Sequence, residues 1–247
     1  MLEGGSELSP TRVALLRRTL SALAQIGVTD VRVVDGEHAD VLQERLVGGG
    51  RKFEGTDMRV QVLANRSWRR ASGAALLLVR DFVTASDEPF LVLRGDRPLD
   101  PEALAELAAT DLGRSSAAIT IAEPPADANA SLHREVKVRV ESARAGAAAI
   151  IAIGLDLDRY DAIFTGHALV SPEIIRELER WSNPALEDAL AAWVAAGRVR
   201  ARAGRLAWPT WPLSSGDVAQ SWEATSGMGD NVAAILDAKL HPAYTLL

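Results

Sequence analysis

The stretch Phe90-Leu91-Val92-Leu93-Arg94-Gly95-Asp96 decides the fold class of this chain. Its first four residues form a continuous apolar run, which is typical of a strand buried on both faces of a parallel sheet. Asp100-Pro101 follows shortly afterwards, and an Asp cap with Pro in the first turn predicts the start of a helix. The stretch therefore predicts a strand followed by a helix, which is the repeating unit of an α/β fold.

The residues upstream of this strand continue the same alternation. Apolar residues recur at helical spacing after Thr11, and Gly27 stands where a helix is expected to stop. Helices are predicted at 11–26, 38–46 and 73–83, and strands at 31–34 and 59–63. This alternation over about the first 110 residues predicts an α/β sheet that is largely parallel.

The second half of the chain has more strands and fewer long helices. Strands are predicted at 118–121, 136–140, 149–153 and 164–170, with short strand-like pieces at Val199 and Leu206. Helices are predicted to begin at Ser171-Pro172 and at Asn183-Pro184, and a final helix is predicted over 221–238. We predict a single domain over residues 1–247, with halves at 1–115 and 116–247.

Composition excludes several classes of protein. The chain has 27 basic and 33 acidic residues, and its net charge of −6 argues against a nucleic-acid surface, which needs a basic face. It has no cysteine, so disulfides, thiolate ligands and cysteine nucleophiles are excluded. No apolar run reaches the roughly 18 residues of a membrane span. The first residues lack a signal-peptide pattern, so we expect a cytoplasmic protein.

Several segments, in order, resemble the sugar-1-phosphate nucleotidyltransferase family, and within it the inositol-1-phosphate cytidylyltransferases. The segments are LLRRTL (15–20), GVTDV (27–31), SGAAL (72–76), FLVLRGD (90–96), KVRVE (137–141), YDAIFTG (160–166) and the stretch 208–217. The resemblance implies a Rossmann-like, three-layer α/β fold with a mixed, mostly parallel sheet. It places a nucleotide at the carboxyl ends of the strands, with a nucleotide-binding half at 1–115 and an acceptor half at 116–247.

The resemblance also implies nucleotide-binding residues. Gly73, Gly95 and Asp96 match positions that contact the nucleotide, and Asp96 matches the carboxylate that holds Mg²⁺ against the phosphates. The residues alone leave a second interpretation open. Asp96 could cap a turn before Pro98, and Ser72 could cap a helix that starts at Gly73.

The acceptor side of the site is implied by three further residues. Lys137 matches the family lysine that meets the acceptor phosphate, and Thr165 and Gly166 match the family motif Asp-Thr-Gly. Phe164 replaces the Asp of that motif and removes an acceptor for a polyol hydroxyl. A glycine in a strand lets a ligand approach the backbone, but plain strand packing, and an ordinary exposed lysine, explain the same residues equally well.

Two groups that the family uses are missing from the expected positions. The printed sequence opens MLEGGSELSP (1–10) and runs directly into a helix, without the glycine-rich, Lys-containing loop that cradles a triphosphate. The sheet is then expected to lack its first, central strand. The stretch Trp208 to Leu213 also lacks the second metal-binding Asp.

These losses fall where chemistry would occur, so the first expectation is a non-catalytic relative. Such a domain would bind a nucleotide or a sugar or polyol phosphate, or act through a protein partner or as a homo-oligomer. The alternative is an active, Mg²⁺-dependent nucleotidyltransferase that makes a CDP-polyol or an NDP-sugar and releases pyrophosphate. Mg²⁺ is expected only in the second case.

Overall fold

The computed structural model describes residues 10–36, 38–48, 50–67, 72–95, 97, 100–124, 135–142, 148–203 and 244–246. In the first half of the chain the elements are α1 (Pro10–Gln25), β1 (Asp30–Asp35), α2 (Ala39–Val47), β2 (Arg59–Ala64), α3 (Gly73–Leu78), α4 (Arg80–Val83), β3 (Phe90–Leu93) and α5 (Pro101–Ala108). They continue with β4 (Ala117–Ala122), β5 (Lys137–Ser142), β6 (Ala148–Gly154), β7 (Ala162–Val170), α6 (Glu173–Leu178), α7 (Leu186–Ala195), β8 (Val199–Ala203) and β9 (Tyr244–Leu246).

The nine strands of the described residues form one mixed sheet in the order β2-β1-β9-β3-β7-β4-β8-β6-β5, and β7 also pairs with β5. The pairings of β1 with β2 and β9, of β9 with β3, and of β4 with β8 are parallel. The pairings of β7 with β3, β4 and β5, and of β6 with β5 and β8, are antiparallel. Only β6 and β7 therefore run against the common strand direction. The predicted α/β fold with a mixed, mostly parallel sheet is confirmed.

Helices cover both faces of this sheet. On one face, α1, α2 and α5 bury apolar side chains against β1 and β3, with Leu20, Leu42 and Leu104 at most 1% exposed. On the other face, α3, α4, α6 and α7 pack against β3, β4 and β7 around Phe90 and Trp193. Both faces of β3 are thus buried, which explains its unbroken apolar run.

Several helix ends follow their predicted signals. The Asp100 side chain accepts a hydrogen bond from the backbone N–H of Glu102 at 2.9 Å, and Pro101 occupies the first turn of α5. Gly27 follows α1 with a φ of 82°, and Gly197 follows α7 with a φ of 68°. Both glycines hold a left-handed backbone conformation that ends a helix without a penalty from a Cβ atom.

The single helix predicted over 73–83 is wrong, because the structure has two short helices, α3 and α4, in its place. Val79 leaves the helical conformation between them, with φ −103° and ψ 10°. Its side chain is 2% exposed and packs into the same apolar cluster as Leu76 and Val83. Leu76, Val79 and Val83 recur at helical spacing, so all three side chains still face one core across the break.

The prediction that Ser72 caps the helix starting at Gly73 is also wrong. Ser72 makes no capping hydrogen bond to α3. Its hydroxyl oxygen instead accepts a hydrogen bond from the N–H of Leu186 at 2.9 Å and lies 2.9 Å from the Glu187 carboxylate. Ser72 therefore caps α7, which is more than a hundred residues away in sequence.

The expectation of a sheet without its central strand is contradicted by β9. This strand lies between β1 and β3 and runs parallel to both. The strand-like piece at Leu206, the helix predicted at 221–238 and the stretch 208–217 lie outside the described residues. Among the helices that the structure describes, none is both long enough and apolar enough to cross a membrane.

Candidate binding site at the carboxyl edge of the sheet

The carboxyl edge of the sheet brings together the loops that follow β1, β3 and β4. These strands end at Asp35, Leu93 and Ala122, and the antiparallel strand β7 begins beside them at Ala162. In open α/β sheets this edge is where ligands bind. Helices α2 and α5 begin at the same edge because each follows a strand that ends there, and α1 begins there because its first turn contacts Asp35. The positive ends of three helix dipoles therefore point towards this edge.

Strand β5 extends the site beyond the end of β3. Ile163 of β7 pairs with Ala122 of β4 on one side and with Lys137 of β5 on the other. Further along, Ala168 of β7 pairs with β4 and with β3 in the same way. Strands β3 and β5 thus occupy the same side of β7, one after the other. The residues that follow β3 accordingly face the residues that begin β5.

A β-bulge in β7 shapes the centre of this edge. Thr165, Gly166 and His167 together lie opposite the single residue Thr120 of β4, and Gly166 has a φ of 88°. Bulges of this kind re-aim side chains and are frequent next to active sites. The backbone N–H of Arg94 points to the Nδ1 atom of His167 at 3.4 Å, which joins the bulge to the end of β3.

The side chain of Arg94 fills the space above Gly166. A Cβ atom on Gly166 would lie only 2.5 Å from Arg94 Cγ and 3.3 Å from Arg94 Cβ. These separations are far below an ordinary van der Waals contact, so no other residue fits at this position with Arg94 in place. Of the two explanations offered for Gly166, ligand approach and strand packing, the structure favours packing, because a protein side chain fills the space.

The hydroxyl of Thr165 lies in a buried hydrogen-bond network. It bonds the hydroxyl of Thr120, donates to the Thr120 carbonyl at 3.1 Å and receives the N–H of His167 at 3.3 Å. Thr165 is fully buried and Thr120 is 5% exposed. The neighbouring Phe164 is 5% exposed and belongs to the apolar cluster under α6 and α7. The residues matched to the Asp-Thr-Gly motif are therefore turned into the protein interior.

Two ion pairs lie at the carboxyl edge. Arg97 pairs with Glu135, and their side chains are 10% and 19% exposed. Arg12 of α1 pairs with Asp35, whose carboxylate is fully buried and also accepts the N–H of His38 at 2.6 Å. Each pair joins two elements at the edge. The first connects the segment after β3 to the start of β5, and the second connects α1 to β1 and α2.

Lys137 lies at the first position of β5, two residues after Glu135 in the sequence. It is half-buried, and its ammonium group lies 5.5 Å from the centre of the Tyr160 ring. This distance falls within the range of a cation–π contact. Lys137 thus stands at the same edge as Arg94 and Arg97, and its role towards an acceptor phosphate stays a prediction.

Gly73 packs against α6 and the segment before α7. Its N–H donates to the carbonyl of Pro184 at 3.0 Å, and an added Cβ would lie 2.7 Å from that oxygen and from Leu178 Cδ2. Packing against the segment before α7 therefore accounts for the glycine. Gly95 occupies the turn that follows β3, and Asp96 lies outside the described residues.

The described carboxylates do not form a Mg²⁺ site. No group of three or more His, Asp or Glu side chains suited to a metal occurs among the residues that the structure places. Two acidic residues at the edge, Asp35 and Glu135, are each engaged by an arginine. Mg²⁺ prefers several oxygen ligands in octahedral geometry. No step that uses a metal can therefore be derived from these residues.

Sequence reasoning missed five residues of this site, namely Arg12, Asp35, Arg97, Glu135 and His167. Asp35 carries a signal that could have been used. It is a charged residue at the end of an alternating strand, which is the argument applied to Asp96. The remaining residues carry no local signal, because their partners lie 23 to 73 positions away.

No protein-family model matches this chain, and no curated protein matches it. Three solved structures are similar in fold. The inositol-1-phosphate CTP transferase from T. maritima is 20% identical, with a TM-score of 0.57 over 76% of this chain and 71% of that one. A putative glucose-1-phosphate thymidylyltransferase from Bacillus anthracis, in complex with a sucrose, is 14% identical, with a TM-score of 0.65 over 97% and 92%. The UDP-glucose pyrophosphorylase from Acinetobacter baumannii is 14% identical, with a TM-score of 0.58 over 83% and 81%.

These similarities establish the fold. The chain has the Rossmann-like α/β fold of sugar-1-phosphate nucleotidyltransferases, as its resemblance to that family implies. The carboxyl edge described above is the ligand-binding edge of this class of sheet.

Proposed function

We propose that this chain is a nucleotidyltransferase-fold domain that binds a nucleotide or a sugar or polyol phosphate at the carboxyl edge of its sheet, without transferring a nucleotidyl group. Binding is supported by the cations collected there. Arg12, Arg94, Arg97 and Lys137 lie at the edge together with the beginnings of α1, α2 and α5. Guanidinium groups and helix N-termini both favour phosphate oxygens.

The proposal that the domain is not catalytic rests on one observation. Two of the three residues that the resemblance assigns to the acceptor, Thr165 and Gly166, have their surroundings filled by the protein itself. Thr120 satisfies the hydroxyl of Thr165, and Arg94 covers the open face of Gly166. In-line transfer needs an acceptor held close to the phosphorus, and an acceptor at this position would have to displace both.

Gly95 and Arg94 are the contacts we propose for the phosphates. Gly95 follows β3 directly and has no side chain to keep a ligand from its backbone. Lys137 would meet a second phosphate from the facing side of the site, beside Tyr160. Asp96 and Gly73 remain proposals from the resemblance alone.

The alternative proposal is an active, Mg²⁺-dependent nucleotidyltransferase. One observation favours it, since Gly95 follows β3 at the carboxyl edge and is followed in the sequence by Asp96, which the resemblance matches to the family's metal-binding Asp. Asp96 would then hold Mg²⁺, which would offset charge on the transferred phosphates. The activity requires a second carboxylate from beyond the described residues.

Two measurements separate these proposals. Calorimetry with CTP, with and without Mg²⁺, and with inositol 1-phosphate tests binding, and pyrophosphate release from the combined ligands tests transfer. We expect saturable binding without release. Pyrophosphate release above background would overturn the non-catalytic proposal. Failure of every ligand to bind would overturn the binding proposal and leave a role through a protein partner or a second copy.

A matched pair of variants tests where the ligand binds. Arg94→Ala should weaken binding about ten- to hundredfold, because it removes a charge-assisted contact worth about 1.5–3 kcal/mol. Arg180→Ala is the control. Arg180 is 71% exposed on the segment after α6 and pairs with Glu177, so its loss should leave binding unchanged. Equal affinities for the two variants would exclude the carboxyl edge as the site.

A further inference from the structure

Strands β1 and β3 do not pair with each other, and the gap between them is filled by a third strand that joins the two parts of the sheet. Strand β9 lies in this gap, with Tyr244, Thr245 and Leu246 paired with Val31, Arg32 and Val33 of β1 on one side. On the other side the same three residues pair with Leu91, Val92 and Leu93 of β3. Among the described strands, β1 and β2 meet the rest of the sheet only through β9.

An empty gap would be very unfavourable. The residues of β3 that face it are at most 1% exposed, and Val31 and Val33 of β1 are 0% and 3% exposed. Each buried backbone N–H or C=O without a partner costs about 1–3 kcal/mol, and two facing strands present several. The gap therefore requires an extended segment that can form hydrogen bonds along both of its edges.

The segment that fills the gap is attached by a long connection. Residues 204–243 separate β9 from β8, and β8 lies four places away in the sheet. Four strand spacings amount to roughly 19 Å, whereas a chain of this length can reach roughly 130 Å. A connection of this length is long enough for β9 to pair with β1 and β3 of its own molecule or of another one.

We propose that the gap between β1 and β3 is an acceptor site for an extended strand, and that a second copy of this chain can fill it with its own β9 (Tyr244–Leu246). Each copy would keep one gap and donate one strand, so the exchange closes into a symmetric dimer. A second copy fits because its β9 has the same sequence and can form the same three-residue pairings with β1 and with β3. Main-chain hydrogen bonds supply the affinity, as in other cases of strand addition.

The absence of cysteine in this chain makes a clean crosslinking experiment possible. One batch of full-length protein carries Arg32→Cys and another carries Thr245→Cys, which replace residues paired across β1 and β9. The two are mixed at high concentration, incubated and oxidised. Strand exchange should give a disulfide-linked heterodimer in several-fold higher yield than the control pair, Arg32→Cys with Ala196→Cys at an exposed position after α7. Equal yields would overturn the proposal.

A peptide provides a second readout that does not depend on the variants. A labelled peptide of residues 240–247 should bind the unmodified full-length protein and raise its fluorescence anisotropy in a saturable way. The same peptide with Thr245→Pro lacks one ladder N–H and should bind several-fold more weakly. Absence of binding by both peptides would show that the gap accepts only its own strand, and equal binding would show that the peptides bind without the strand pairing; either result would overturn the proposal. This outcome has no bearing on phosphate binding at the carboxyl edge.

Discussion

Arg94 and Gly166 are mutually dependent, because the arginine side chain occupies the volume that the glycine leaves empty. Arg94 Cγ lies 2.5 Å from the position of a Cβ on Gly166. The glycine also has a φ of 88°, which other residues adopt only at a cost. The contact fixes the end of β3 against the bulge of β7 and sets where Arg94 stands at the carboxyl edge.

We expect Gly166→Ala to lower the free energy of unfolding by about 3 kcal/mol, from backbone strain and from overpacking against Arg94. Gly197→Ala is the matched control. Gly197 has a φ of 68° and no atom within 4 Å of an added Cβ, so only strain remains, and we expect a loss of about 1 kcal/mol. In an Arg94→Ala background the cost of Gly166→Ala should fall to the value of the control. Urea denaturation measures all four variants, and an unchanged cost in that background would disprove the contact.

The pair formed by Arg97 and Glu135 leads to a second prediction. Glu135→Gln removes the carboxylate from a pair whose side chains are at most 19% exposed. Breaking such a buried pair should destabilise the fold by roughly 3 kcal/mol. Glu173→Gln is the control, since it breaks the pair with Arg198, whose side chains are 52% and 38% exposed. There we expect a loss of less than about 1 kcal/mol. Similar melting temperatures for the two variants would show that Arg97 does not depend on Glu135.

The hydrophobic pattern predicted most of the sheet but not its centre. Strands such as β3 and β7 show long apolar runs because both of their faces are buried. Strand β9 has only three residues, and its place between β1 and β3 depends on pairings with residues about 150 to 210 positions upstream. No local period encodes such a pairing. The break at Val79 was missed because the apolar residues Leu76, Val79 and Val83 keep their helical spacing through it.

The sequence located the edge of the candidate site, and the binding roles of the residues named for it stay predictions. The edge itself follows from the strand direction, and Gly95, Lys137 and Gly166 do lie at it. For Gly166 the sequence left ligand approach and strand packing open, and the structure gives the space to Arg94. Whether an empty position accepts a ligand or a side chain depends on three-dimensional packing, which the sequence does not show.

The threonine pair leads to a third prediction. Thr165→Val should destabilise the protein by about 1–3 kcal/mol, because it leaves the carbonyl of Thr120 and the N–H of His167 without this hydroxyl. In the Thr165→Val background, Thr120→Val should lower the free energy of unfolding by less than it does in the unmodified protein, because the two hydroxyls share hydrogen bonds. Thr84→Val, at an exposed threonine bonded to the Arg80 carbonyl, should change stability by at most about 0.5 kcal/mol. Additive losses in denaturation would show that the two threonines act independently.

Asp96 distinguishes a binding domain from an active enzyme. If the domain is not catalytic, a single Asp without a second carboxylate holds Mg²⁺ poorly, and Asp96 serves mainly the turn after β3. Asp96→Ala should then lower the melting temperature by about 2–4 °C, which corresponds to roughly 1 kcal/mol at this chain length, and leave CTP affinity the same with and without Mg²⁺. Asp87→Ala, in the exposed loop before β3, serves as the control for loss of charge and should change neither quantity. A large loss of Mg²⁺-dependent CTP binding or of pyrophosphate release by Asp96→Ala, at an unchanged melting temperature, would instead identify a working metal site and favour the active nucleotidyltransferase.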